Sequence, residues 1–243
     1  RTYFYTKEER LNPMRFTLRL LPLILAAFMA FSCAPKQKGP DPRNPYGLEI
    51  INTYEGYLES VAADPDMELV DLSTFIPGVV LDIRYATENN FTGTQIYTSP
   101  EAYARRPVAE ALLAIQEELA TRGLGLKIFD AYRPYAATLY FYEVYQDTVF
   151  VASPTKGSNH NRGFAVDLTI INLETGEELE MPTEFDEFTE VAAAGYMDLP
   201  DLVIYNRTLL FDIMVRHGFT PYDGEWWHFN YSKERDKYPI MDI

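Results

Sequence analysis

Ser158-Asn-His-Asn-Arg-Gly-Phe-Ala-Val-Asp167 is the stretch from which the rest of the chain can be read. It holds His160 and Asp167, two good metal-ligand types, with the small residues Gly163 and Ala165 between them. Asn161-Arg-Gly163 has the composition of a tight turn, and the run that follows alternates. Phe164, Val166, Leu168 and Ile170 fall on one face of a strand; Ala165, Asp167 and Thr169 fall on the other. With the apolar face packed into a core, Asp167 points at whatever lies opposite. A neutral imidazole and a carboxylate are ordinary ligands for zinc, but two ligands do not make a site.

Glu225-Trp-Trp-His228 can supply the rest. The chain has three histidines, and two of them fall in these two stretches. His160, Asp167 and His228 make three protein ligands and leave a fourth position for water, the layout of a catalytic zinc rather than a structural one. Glu225, three residues before the ligand, is placed to take a proton from that water. Each residue also has a plainer reading. His160 alone could be a polar loop residue, and Glu225 to His228 could be an aromatic strand with a rim charge. Asp167 is harder to dismiss, because a carboxylate buried without a partner is costly. His217 sits at a helix C-terminus, where the dipole favours a cation, and reads as structural. Arg133, between a buried strand and Pro134, either binds a carboxylate or stabilises an oxyanion. Asp130 either holds Arg133 or turns the chain.

The 243 residues, 47% hydrophobic and 14% aromatic, suffice for one domain with a real core and argue against disorder. Near the start, Arg15 and Arg19 precede an apolar run, Leu20 to Phe31, that ends at Cys33. Basic residues, a short apolar stretch and small residues at the cut describe a signal peptide over residues 14–33, with Met14 as the start and residues 1–13 as an upstream extension. The run is too short to span a membrane. Cys33, the only cysteine, resembles a bacterial lipobox position, so the expected product is an exported lipoprotein facing the periplasm or cell surface, touching membrane only through that anchor. A plain secretory leader cut nearby is the other reading. Of the 21 Lys and Arg and 36 Asp and Glu, five and two lie in residues 1–33, which leaves a net charge of −18 beyond them. That acidity speaks against nucleic acid as a partner.

Residues 34–66 begin with Pro35, Pro40, Pro42 and Pro45 and read as a tether, in which Gly47 to Val61 is a weak amphipathic helix or more linker. The domain is expected over 67–243. Expected strands are Val79 to Tyr85, Leu126 to Phe129, Val149 to Ala152, 164–173 with 178–181 as a hairpin, and Phe219 to Tyr222 paired with Trp226 to Tyr231. Expected helices start at Ser99-Pro100 and end at Gly123, then cover Ala137 to Tyr145, Asp186 to Ala194, and Asp201 to His217, the last closed by Gly218. The sum is an α+β domain, helices packed on a mainly antiparallel sheet with the site on its open face.

Four stretches taken together, Tyr85-Ala-Thr-Glu-Asn-Asn-Phe-Thr-Gly93, Asp130-Ala-Tyr-Arg-Pro134, Ser158 to Thr169 and Glu225 to His228, resemble the zinc-dependent D-alanyl-D-alanine dipeptidases. That group includes the vancomycin-resistance dipeptidase and has relatives among D-Ala-specific carboxypeptidases. The resemblance covers about residues 68–232 and implies a fold related to that of the hedgehog signalling domain. It implies one zinc ion held by His160, Asp167 and His228, Glu225 as general base and acid, and Arg133 as transition-state stabiliser. It further implies that Asp186 meets the free amine of the dipeptide and that Tyr85 and Ser158 line the pocket. The segment between Arg133 and His160 is shorter than in the resistance enzyme, which bears on substrate size. The export leader points to wall turnover or dipeptide scavenging rather than to drug resistance. A D,D- or L,D-carboxypeptidase acting on longer wall peptides, and a zinc-holding binding module without catalysis, are the alternatives.

Overall fold

The computed structural model describes residues 41–231 and 235–243. The expected signal peptide, the Cys33 anchor and the first part of the tether lie outside the described residues. In chain order the elements are β1 (Ile50–Ile51), α1 (Tyr54–Ala63), β2 (Leu69–Asp71), α2 (Leu72–Phe75), β3 (Val80–Leu81), β4 (Tyr103–Arg105) and α3 (Arg106–Ala120). They continue with β5 (Leu124–Asp130), α4 (Tyr135–Val144), β6 (Ala165–Asn172), α5 (Asp201–Arg216), β7 (Phe219–Tyr222), β8 (Glu225–Tyr231) and β9 (Ile240–Met241).

One five-stranded sheet, ordered β3-β5-β6-β8-β7, carries the fold. β3 runs parallel to β5; β5 with β6, β6 with β8, and β8 with β7 are antiparallel. β6 sits at the centre, where the apolar alternation read from sequence places Val166, Leu168 and Ile170 in the core. The opposite face carries the site cavity, as expected, but is largely covered. Ala165, Asp167 and Thr169 are buried as well, under the segments that bring Arg133 and His160 to the sheet. α3 packs on β5 through Val108, Leu112, Ile115 and Leu119, the i, i+4, i+7, i+11 stripe of an amphipathic helix. α5 packs on β7 and ends at Gly218, whose φ of +91° suits the left-handed cap.

Register positions the chemistry. Asp167 on β6 stands opposite His228 on β8 and opposite Asp130 on β5. The last pairing exists because β5 bulges between Ile128 and Asp130. Ile128 pairs with Leu168 on the core face, and strict alternation would send Asp130 to that face too. One extra residue turns it to the face of Asp167.

Several expected elements differ. The fold begins before residue 67: β1 pairs with β9, and α1 buries Tyr57, whose hydroxyl accepts from Leu69 N at 2.8 Å. The strand expected over Val79 to Tyr85 is short, because the Tyr85 carbonyl is taken by Ile96 N and Tyr97 N and the chain leaves the sheet. Pro107, not Pro100, opens the helix, since Tyr103–Arg105 pairs with β2 first. Val149 to Ala152 is a turn closed by Phe150 N and Val151 N on Asp147 O. Beyond Ile171 only a single bridge to Glu178 forms. Asp186 has φ +62°, which stops a helix there, and only Glu190–Ala192 makes a helical turn.

Fully buried Arg105 binds the Met67 turn and β9 to the His160 turn. It donates to the carbonyls of Arg162 (2.8 Å) and Met67 and to Met241 Sδ (3.1 Å). Gly163, at φ +77°, lies against it; a Cβ there would stand 3.0 Å from Leu69 Cδ2 and 3.3 Å from Arg105 Cγ.

Candidate active site and metal centre

Three ligand atoms meet at one point. His228 Nδ1 lies 2.9 Å from Asp167 Oδ1 and 3.1 Å from His160 Nε2, and His160 Nε2 lies 3.4 Å from Asp167 Oδ1. The outward nitrogen of each ring fixes its tautomer. His160 Nδ1 is 2.7 Å from the Ala131 carbonyl, which can only accept, so Nδ1 carries the proton. His228 Nε2 is 3.2 Å from Asn230 Oδ1 and carries its proton for the same reason. Two imidazole lone pairs and a carboxylate oxygen therefore converge with no hydrogen between them, an arrangement that repels itself unless a cation sits in it. Ligands at about 2.1 Å around a tetrahedral zinc stand ~3.4 Å apart, so the donor set fits such an ion in both chemistry and size.

Glu225 begins β8 and is buried, with Oε2 3.9 Å from His228 Nδ1. Burial first, then the charges of Asp167 and Asp186, push its carboxyl well above the usual range. Such a group readily holds a proton, as a general base that later acts as an acid must. Arg133 donates through Nε to Asp130 Oδ2 at 2.9 Å, with its terminal nitrogen 2.7 Å from the same oxygen and 3.7 Å from Asp167 Oδ2. Its guanidinium also lies over the rings of Tyr85 and Phe141, 5.3 and 4.8 Å from their centres. Burial works against that charge, but Asp130 and the neighbouring groups keep it fixed.

Asp186 is only half-buried as a residue, yet its Oδ2 is out of solvent and without a hydrogen-bond partner. Its Oδ1 accepts from Tyr85 Oη at 3.1 Å. Burial lifts this carboxyl to about 8, the Tyr85 bond opposing. One cavity of about 240 Å³ is lined by all eight expected site residues: Tyr85, Arg133, Ser158, His160, Asp167, Asp186, Glu225 and His228 border it. Three carboxyl groups and one guanidinium face it, and burial pushes two of the three, Glu225 and Asp186, toward the protonated form until a cation joins them.

Residues 65–242 match the D-ala-D-ala dipeptidase model of peptidase family M15. The chain is 36% identical over 174 residues to the D-alanyl-D-alanine dipeptidase of Escherichia coli K12, covering 72% of this chain and 89% of the relative. It is 34% identical over 181 residues to that of Enterococcus faecium, covering 65% and 88%, and 31% identical over 192 residues to that of Streptomyces coelicolor, covering 70% and 93%. The chain belongs to the M15 D-ala-D-ala dipeptidase family. Peptidases of this family are metal-dependent, in keeping with the His160, Asp167 and His228 cluster.

In this M15 chain all eight expected site residues reach the cavity, but not all with a free hand. The Ser158 hydroxyl accepts from His160 N at 3.2 Å, so it braces the ligand turn as well as lining the pocket. His217 pairs with Glu118 of α3 at 2.9 Å and does not border the cavity. Sequence reasoning missed Tyr97, whose hydroxyl donates to Asp130 Oδ1 at 2.9 Å and fixes the partner of Arg133. It also missed Asn230, which holds the outer nitrogen of His228. Neither sits in a periodic pattern; for Asn230 the position two residues beyond a ligand on a strand was the available signal, since i and i+2 share a face.

Proposed function

We propose that the chain hydrolyses D-alanyl-D-alanine to two D-alanines, with one zinc ion held by His160, Asp167 and His228. The observation that carries this reading is the unpartnered, solvent-free Oδ2 of Asp186 in the same small cavity as the three converging ligands. A buried carboxyl with an unused oxygen matches the charged amine of a free dipeptide. An N-acylated wall peptide would bring an uncharged amide and further chain to that place, so a carboxypeptidase acting on longer peptides fits less well.

Zinc is preferred because two imidazoles and one carboxylate at this spacing suit it, and it would polarise the scissile carbonyl and acidify a water. Glu225 accepts the proton of the attacking water and passes it to the leaving amine, which departs neutral. Arg133, held by Asp130, faces the oxyanion that develops as the carbonyl is attacked. Asp186 and Tyr85 hold the ammonium and set the distance from the free amine to the scissile bond. With the export leader and Cys33 anchor expected from sequence, the setting would be turnover of wall peptides outside the inner membrane.

The test is hydrolysis of D-Ala-D-Ala beside L-Ala-L-Ala and N-acetyl-D-Ala-D-Ala, each with and without chelator. The reading expects chelator-sensitive release of D-alanine from the free D,D-dipeptide. Equal turnover of the acetylated peptide would transfer the assignment to a carboxypeptidase, and no turnover of any peptide would leave a binding module.

A further inference from the structure

The second ligand histidine owes its orientation to an amide, and an amide has two faces. Asn230 Oδ1 lies 3.2 Å from His228 Nε2 and also accepts from Asn159 Nδ2 at 2.7 Å. Turned the other way, the Asn230 side chain would offer NH₂ to His228 Nε2. That nitrogen would then have to accept, and the ring proton would move to Nδ1, among Asp167 Oδ1 and His160 Nε2, where it would exclude a cation. A carboxylate, the more usual partner of a ligand histidine, cannot make this error because both its oxygens accept.

We infer that Asn159 is a positioning residue that acts through Asn230 to keep His228 in its metal-accepting tautomer. Asn159 Nδ2 can only donate. With Asn159 donating, as it does here, a flipped Asn230 would set NH₂ against NH₂ at 2.7 Å, so the contact opposes a flip of Asn230 alone. The same bond joins the two elements that carry the histidine ligands. Asn159 immediately precedes the His160–Arg162 turn, and Asn230 lies on β8 opposite Ala165 of β6. Both asparagines border the cavity, so the contact holds the wall of the site itself.

This rests on the proposed metal site, and the experiment separates the two. The full chain is stripped with chelator and titrated with Zn²⁺ against a chromophoric competitor, for the wild type, Asn159→Leu, Asn230→Asp and the double variant. Asn159 has ordinary helical dihedrals (φ −67°, ψ −28°), so leucine fits its backbone; thermal melting of the metal-free proteins checks the fold. Asn159→Leu is expected to weaken Zn²⁺ binding roughly 10- to 100-fold. Asn230→Asp is expected to bind at least as tightly as wild type, and in the double variant the aspartate is expected to restore the affinity lost with Asn159. Wild-type affinity in Asn159→Leu, or a double variant as weak as that single one, overturns the inference while the metal site stands. A wild-type chain that binds no Zn²⁺ overturns both.

Discussion

Asp186→Asn should make the empty protein more stable and the enzyme worse. The carboxyl moves from 3.8 in the unfolded chain to about 8 in the fold, driven by burial. A group held more tightly protonated by the fold favours folding at low pH, and that contribution is lost as pH rises from about 4 to about 8. At pH 7 the fold keeps the proton that the unfolded chain has released, and at ~1.4 kcal/mol per pH unit the loss is on the order of 4 kcal/mol. That is a large share of the ~5–15 kcal/mol that holds a domain together. Asparagine tolerates the φ of +62°, keeps an oxygen for Tyr85 Oη and cannot ionise, so the backbone should stay and the pH dependence should go. Denaturant unfolding of metal-free protein at pH 5 and pH 8 reads this directly: the variant should lose less stability between the two than wild type, the remaining slope coming from Glu225 and other groups common to both. In the loaded enzyme the same change removes a charge-assisted bond to the substrate ammonium. At about 1.5–3 kcal/mol it should raise KM for the free dipeptide roughly 10- to 150-fold, with a smaller effect on kcat. A variant with the wild-type pH slope and the wild-type KM would refute both halves of the reasoning.

Glu225→Gln should retain metal, measured by elemental analysis, and lose about 10²- to 10⁴-fold in kcat, because the amide cannot take the proton of water; unaltered turnover would remove Glu225 from the mechanism. Tyr97→Phe deprives Asp130 of one donor and loosens the partner of Arg133, so kcat should fall about 10-fold with KM for the dipeptide unchanged, whereas a rise in KM alone would place Tyr97 in binding. Gly163→Ala meets both a left-handed backbone and the Leu69 and Arg105 side chains, and a loss of about 1–2 kcal/mol or more in denaturant unfolding is expected; an unchanged midpoint would show that the turn relaxes freely.

The reach of the sequence follows the range of the forces concerned. Strand β6 was legible because its alternation spans a whole element, and β8 with its Asp223-Gly224 turn was legible because a hairpin is local. The helix starting at Pro107 was misplaced to Pro100 because both prolines satisfy the local rule; only the pairing of Tyr103–Arg105 with β2, more than thirty residues away in sequence, decides between them. The expected helix at Asp186 failed for a related reason. Nothing in Glu184-Phe-Asp186 announces a positive φ, which the fold imposes so that one carboxyl reaches Tyr85, 101 residues upstream.

The candidate site divides along the same line. His160, Asp167, Glu225 and His228 belong to two short stretches whose spacings alone suggest ligands, but the geometry that joins them is a sheet register. Asp167 faces His228 because β6 and β8 pair in that register, and Asp130 joins the row only through the bulge at Phe129. Sliding β8 by one residue would turn His228 away from Asp167, since side chains alternate with a period of two; Glu225, three residues earlier, shares the cavity because the β7–β8 register shifts between Pro221 and Tyr222. The two tryptophans between them resist that slip. Trp226 and Trp227 are both almost wholly buried with their rings in edge contact, centroids 5.4 Å apart, and a slip would mean rebuilding two large contacts at once. The aromatic pair inside Glu225-Trp-Trp-His228, which taken alone reads as core, thus pins the register that sets His228 opposite Asp167.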